Sequence, residues 1–423
     1  MQYTHDFTRR TILDTEINVG LSNLNENTTV NSTYLSSVVE SNFLVYQNVD
    51  KKLKYLDFKT SLSHLITKGL KGQLLINNNF AKDDYNIRIN PASSTYTNLA
   101  VFNNNQFLVE PSLIYKISRR IKLQTSVSKN FFRLNRLQKK LLNYNVKLNL
   151  RYWSDIELYF AKKQEFPFRQ NYLKNYFLIN NNTFKKGIFF IDPMDYNLFS
   201  VKILNKNRNN TLDNEVFFSY KTTSSSLLQK YSFSNNINYQ EIEVIKNKGE
   251  EFFLKNQLIF LVGTIGFNVK SAQTYLKLPL NSTDNELSRL YNGNYKFEIT
   301  SYFLSKFNFN LLFEYNSYRQ KYRNENSSFD SKNLATELEW NPTKEITTNL
   351  KGGIYELDKN YYQIFNASIN YTPKDKNISY GLRLNNLLNE DQFSIQERNS
   401  FFLSKTTVPL VPFYAFASVK YIF

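Results

Sequence analysis

The chain contains no cysteine, which excludes a disulfide framework, a zinc–thiolate site and thiol chemistry together. Histidine is nearly as scarce, His5 and His64 being the only two. Glycine stands at 11 in 423 residues, and no fixed repeat is present, which argues against a propeller or a solenoid. Long apolar runs are missing too. The longest, Leu258 to Phe267, falls far short of the ~20 residues that a membrane helix requires. Met1 to Arg10 lacks the apolar segment of a secretory signal. The expectation is a mature form or the C-terminal portion of something longer.

What is abundant is aromatic. Phe and Tyr number 36 and 30, and aromatics make up 16% of the chain, yet mean hydropathy is only −0.48. Many large rings without a matching aliphatic core suit a wall with one lipid-facing and one wet side, where aromatics gather in girdles. The net charge of +17 is compatible with nucleic acid, anionic lipid or acidic ligands. Lys and Asn recur alongside Ile, Tyr and Phe throughout, as an AT-rich genome encodes by default, so charge alone selects no partner.

The dominant period is two. Phe307, Phe309, Leu311, Phe313 and Tyr315 alternate with Asn308, Asn310 and Glu314, Leu312 being the exception. Leu142, Tyr144, Val146, Leu148, Leu150 and Tyr152 alternate with Asn143, Asn145, Lys147, Asn149 and Arg151. Side chains point to opposite sides of a strand, so each stretch has one apolar and one polar face. The second is about as long as the 9–11 residues that cross a bilayer at a tilt.

Short polar turns join these strands at Ser305–Lys306, Asn341–Lys344, Pro373–Lys376 and Ser118–Arg120. Proline presets φ and aspartate bonds its own backbone, which is why such residues collect in turns. Arg323 to Lys332 and Leu280 to Asn292 read instead as longer polar loops. Short turns at one end and long loops at the other is the asymmetry of outer-membrane barrels. The expected fold is therefore all-β: a transmembrane, antiparallel up-and-down β-barrel over 1–423 with roughly 16–20 strands, an even count being usual. The first 30 or so residues and the stretch from Phe160 to Phe199 resist parsing.

The chain ends in a strand, Pro412 to Phe423, that sets Phe413, Ala415, Ala417, Val419, Tyr421 and Phe423 on one face. This resembles the C-terminal signal by which outer-membrane barrels are recognised for insertion, and Phe413, Val419, Tyr421 and Phe423 carry it. Upstream, Gly381 to Leu384 alternates into a corner, Asn386-Leu387-Leu388-Asn389, with Phe393 shortly after. The corner followed by a loop and the terminal strand is similar to the C-terminus of TonB-dependent outer-membrane receptors. The Tyr-, Asn- and Lys-rich style is most like receptors from Bacteroidota.

The resemblance implies a receptor in the outer membrane of a Gram-negative cell, importing an unidentified ligand with energy from the inner membrane. It implies contact with outer-membrane lipid and lipopolysaccharide, and with the barrel-assembly machinery. TonB would be reached only through a plug domain, and neither plug nor TonB-binding box is found in the sequence. The chain is thus expected to be an incomplete barrel portion; a plugless porin or structural barrel is the other reading.

No catalytic, cofactor or metal site is expected. His64 lies in an alternating strand, Leu56 to Ile66, as an interfacial or lumen imidazole rather than a base, and no positioned acid–base set accompanies it. There is no phosphate loop, dinucleotide fingerprint or helical zinc motif. Tyr315 to Arg323 interleaves aromatics with cations as a nucleic-acid surface can, but a girdle running into a basic loop accounts for it, and no nucleic acid is expected.

Overall fold

The structure is a computed structural model that describes residues 2–8, 10–35, 40–91, 96–134, 137–166, 177–180, 183–187, 193–206, 211–234, 237–279, 287–302, 306–322, 325–357, 360–374, 377–398 and 403–421. Its strands are β1 (Gln2–Thr8), β2 (Thr11–Leu35), β3 (Glu40–Leu65), β4 (Leu70–Pro91), β5 (Tyr96–Lys116), β6 (Ile121–Leu134), β7 (Leu137–Arg151), β8 (Asp155–Glu165), β9 (Phe177–Asn180), β10 (Thr183–Lys186), β11 (Met194–Lys206), β12 (Leu212–Thr223) and β13 (Ser226–Ser234). They continue with β14 (Ile237–Ile245), β15 (Gly249–Val262), β16 (Ile265–Pro279), β17 (Leu287–Ser301), β18 (Phe307–Tyr322), β19 (Glu325–Trp340), β20 (Ile346–Leu357), β21 (Asn360–Tyr371), β22 (Ile378–Asn385), β23 (Gln392–Arg398), β24 (Leu403–Pro409) and β25 (Tyr414–Tyr421).

Nineteen of these strands form one sheet. Each is hydrogen-bonded antiparallel to the next along the wall, from β1 through β8, then β11, β12, β15 to β22 and β25. The count falls within the expected range. Its oddness has a geometric meaning: β1 and β25 run in the same direction, and among the described residues no pairing joins them. Parity is a rule for walls that close antiparallel on themselves, which an odd meander cannot do between its own edges.

Among the described residues, the turns 66–69, 117–120, 152–154, 263–264 and 341–345 lie at one end of the wall, which we call the turn end. They are tied by main-chain bonds such as Ile117 N to the Ile121 carbonyl at 3.0 Å and Asn341 N to the Lys306 carbonyl at 2.6 Å. Gly263 sits at the tip of one with φ 61°, a left-handed conformation that glycine adopts without steric cost. The opposite, loop end also has tight connections, since β6 and β7 pair out to Leu134↔Leu137 and β20 and β21 out to Leu357↔Asn360. Short turns are therefore not confined to one end, as the sequence pattern suggests they are. The loop end is reached by strands of very unequal length. β2 and β3 run for 25 and 26 residues, more than twice the 9–11 that a bilayer needs, so their hairpin projects far past any membrane.

The loop end corrects two sequence readings. Arg323 to Lys332 is no long loop: β18 and β19 stay paired from Phe307↔Trp340 out to Tyr322↔Glu325. A ladder needs only main-chain donors and acceptors, and its polar residues are free to meet water beyond the apolar band, so polarity did not signal a break. Likewise β17 begins at Leu287, inside the stretch read as a loop from Leu280.

Two connections at the loop end carry structure of their own. β9 and β10 lie between β8 and β11, and β13 and β14 between β12 and β15. β10 pairs with β14 in parallel, Thr183↔Asn238 to Lys186↔Glu241, so two separate connections merge into one four-stranded sheet. β23 and β24 form a further hairpin.

Candidate functional site and the two faces of the wall

Residues opposite one another in a ladder share a face, so a face can be followed across the whole wall. On one face Leu13 opposes Leu62, which opposes Leu74. Tyr115, Leu123, Leu148, Leu158 and Val201 follow as successive partners. Further on, Leu212 opposes Phe260, which opposes and stacks on Phe267 with ring centroids 4.7 Å apart. Phe297, Phe313, Leu334 and Ile354 continue the face. It passes through Gln363 and Ile369 to Leu382 and Ala417.

The terminal stripe of Phe413, Ala415, Ala417, Val419 and Tyr421 therefore lies on the same face as the stripe from Phe307 to Tyr315. Phe413, Val419 and Tyr421 are all exposed, 49%, 67% and 57% respectively, which for large apolar side chains means a surface with no protein against it. Phe423 lies outside the described residues. Tyr414 and Phe416 point to the opposite face, 45% and 59% exposed, an aromatic pair that the sequence reading did not single out.

The other face is polar and internally paired. Lys147 contacts Glu157 at 2.7 Å, and Glu215 sits between Lys202 at 3.4 Å and Lys255 at 3.6 Å. The Asn268 amide donates to Glu298 at 3.1 Å, and the Asn145 amide to the Ser126 hydroxyl at 2.6 Å. Lys351 meets Glu337 at 3.2 Å. Charges at such spacing and exposure contribute little stability singly; their pairing between neighbouring strands sets this face apart from the apolar one.

Aromatics cross the apolar face as a row. Phe160, Phe199, Tyr220, Phe252, Tyr275 and Tyr291 are consecutive cross-strand partners from β8 to β17. The Tyr220 and Phe252 rings come within 4.5 Å of one another. The row ends at Arg319, the partner of Tyr291 on β18. His64 is on this face as well, exposed near the turn end, its Nδ1 2.8 Å from the Thr11 hydroxyl.

The corner Asn386-Leu387-Leu388-Asn389 sits at the loop end, where β22 hands over to the β23–β24 hairpin. Asn386 is buried, 6% exposed, with φ 52°. Its amide nitrogen donates to the carbonyls of Glu390 at 2.7 Å and Val411 at 2.9 Å, and its amide oxygen accepts from Glu390 N at 2.9 Å. Its own N–H donates to the Asn366 side chain on β21 at 2.9 Å. Asn389, φ 58°, accepts from Phe413 N at 2.9 Å, at the head of the terminal strand. Leu387 N reaches the Phe365 carbonyl at 2.8 Å, while the Leu388 side chain is exposed. Asparagine suits both posts because it tolerates left-handed φ and carries donor and acceptor on one short side chain.

Beyond the apolar band the same face becomes charged. Glu250 bonds Lys277 and Lys248, each at 3.1 Å, and these bonds, Lys277 first, hold its carboxyl below the usual glutamate range. In the merged loop sheet, burial lowers the Lys185 amine, and Lys186 pairs with Glu241 at 3.2 Å.

No protein-family model and no curated protein matches the chain. Solved structures do. FpvA of P. aeruginosa, in a complex with a heterologous pyoverdine and iron, is 9% identical with a TM-score of 0.51, over 99% of this chain and 55% of that one. The copper transporter OprC is 9% identical with a TM-score of 0.50, over 98% of this chain and 69% of that one. The chain thus spans little more than half the length of the first. The likeness is one of fold: an all-β antiparallel meander of the kind that TonB-dependent receptor barrels have.

Proposed function

We propose that the chain forms part of the wall of a TonB-dependent type of receptor in the outer membrane of a Gram-negative cell, taking up a ligand not yet identified. The observation that carries this reading is the apolar face that continues through the nineteen-strand wall, backed by a face of paired charges. In lipid every main-chain donor and acceptor needs a partner, and a sheet with one lipid face and one wet face supplies that. The corner at Asn386 and the composition support a receptor of the Bacteroidota-like style over a generic pore. On this reading the apolar face meets lipid and lipopolysaccharide, the turn end faces the periplasm, and the loop-end strands and merged loop sheet meet the ligand. The terminal strand engages the assembly machinery. The plug, and with it the route to TonB, is supplied by sequence other than this chain, as are the strands that close the wall between β1 and β25.

Reconstitution of the purified chain in planar bilayers tests this. Open edges in hydrocarbon expose unpaired N–H and C=O groups at several kcal/mol each, so the chain alone is expected to bind the bilayer through its apolar face yet give erratic leakage rather than uniform channels. Uniform, long-lived channels overturn the receptor-wall reading and establish a plugless porin.

A further inference from the structure

The upper part of β17 and β18 holds a recess on the apolar face that the receptor reading does not use. Its floor is the cross-strand pair Gly293 and Ser317. Around it stand Tyr291, Tyr295, Tyr315 and Arg319, lining an open recess of about 580 Å³. The Tyr291 and Tyr295 hydroxyls meet over Gly293 at 2.6 Å, and the Tyr295 and Tyr315 rings stack at 5.9 Å. A Cβ at Gly293 would lie 2.9 Å from both tyrosines of its own strand, so glycine keeps the floor open.

Two features distinguish the recess from a gap between side chains. Ser317 is 3% exposed, and its hydroxyl has no hydrogen-bond partner. A buried hydroxyl left unbonded is costly unless something else bonds it. Second, Arg319 on the rim and the opposed pair Arg289 and Lys321 just above it form a cluster of exposed cations with no ion pair among the described residues. Asp330, the partner of Ser317 on β19, accepts the Tyr315 hydroxyl at 3.0 Å, so a carboxylate and cations frame the same opening.

Height identifies the occupant. At about 3.4 Å per residue and the usual tilt of about 40°, Phe307 to Tyr315 rises about 20 Å, and Arg319 lies about 10 Å higher. An apolar band about 25 Å tall therefore ends between Tyr315 and Arg319. A ligand seated here has its apolar part alongside Phe297 and Phe313 and its polar part among tyrosine rings, a serine, a carboxylate and cations. We propose that the recess binds the phosphorylated sugar headgroup of an outer-leaflet glycolipid. The sugar lies on the tyrosine faces, its hydroxyls bond Ser317 and Asp330, and its phosphate is held by Arg319 with Arg289 and Lys321. The proposal rests on the reading that the apolar face lies in the outer membrane.

The test uses the full chain folded in detergent and native mass spectrometry of bound lipid. Bisphosphorylated lipid A is compared with its dephosphorylated counterpart and with phosphatidylglycerol, alongside flotation of the chain with phosphatidylglycerol vesicles. Expected are about tenfold preferences for bisphosphorylated lipid A over either comparator, and a similar loss in Arg319→Ala, as for one charge-assisted phosphate contact. Ser317→Ala should weaken lipid A binding without affecting phosphatidylglycerol. Equal retention of lipid A and phosphatidylglycerol, or binding unchanged in Arg319→Ala, overturns the site. Failure to float overturns the membrane reading and the site with it; flotation without lipid selectivity overturns the site alone.

Discussion

The Asn386 side chain donates to the Val411 carbonyl at 2.9 Å, tying the end of β22 to the segment that leads into the terminal strand across 25 residues of chain. The same amide holds Glu390 from both sides, so one side chain fixes the entry and the exit of the β23–β24 hairpin.

That makes Asn386 a stability hub. Asn386→Ala strands buried main-chain groups, and a loss of about 2–4 kcal/mol is expected from penalties of about 1–3 kcal/mol per unsatisfied group. Asn386→Asp keeps the shape but replaces two donors by an acceptor facing carbonyls, and should be no milder. Urea midpoints of the chain refolded in detergent measure both; a shift no larger than that of an exposed Asn, such as Asn377→Ala, removes the hub.

The faces make opposite predictions for a charge. Leu334→Arg introduces a cation among Phe313 and Ile354, in the apolar band, at a cost of about 2–4 kcal/mol for a mid-bilayer position. Asn310→Arg, near Glu298 on the polar face, should be tolerated. The folded, membrane-associated fraction of each variant separates them, and equal loss in both would mean that the faces are not lipid and water.

Assembly should depend on the terminal stripe. Replacing Tyr421 and Phe423 together by Ser in an otherwise intact precursor removes interfacial aromatics and is expected to cut the amount of heat-modifiable barrel in the membrane severalfold. Unchanged amounts would show that the stripe is no insertion signal.

Acid should loosen the upper ends of β15 and β16 before the rest. Glu250 has its carboxyl held down by Lys277 and Lys248, so the stabilisation it adds is fully present above the unfolded glutamate value. It fades as pH falls through the lower folded one. Hydrogen exchange at the loop-end residues of β15 and β16, compared at pH 7 and pH 3, should show this opening, and Lys277→Met should make the two profiles converge.

The alternation of Phe307 to Tyr315 and Leu142 to Tyr152 was legible because a face needs only period two, and the Asn341–Lys344 turn because its residues favour turns locally. The register between strands was not. It is fixed by the stagger of the whole wall, so the row from Phe160 to Tyr291 and the floor at Gly293 and Ser317 have no local signature. The Asn386 corner was visible as a motif, but its bonds to Val411 and Asn366 are long-range and could be found only in coordinates. The polar hairpin from Arg323 to Lys332 was misread because main-chain pairing leaves no trace in side-chain hydropathy.

The parallel pairing of β10 with β14 makes two connections answerable to each other. Thr183–Lys186 and Asn238–Glu241 belong to segments more than fifty residues apart, yet neither can lengthen, shorten or slip without stranding the other's hydrogen bonds. Drift in one is constrained by the other, so the two should vary as a linked unit among descendants of this chain, with Lys186 and Glu241 exchanging charge together. The connections free of such pairing can diversify alone.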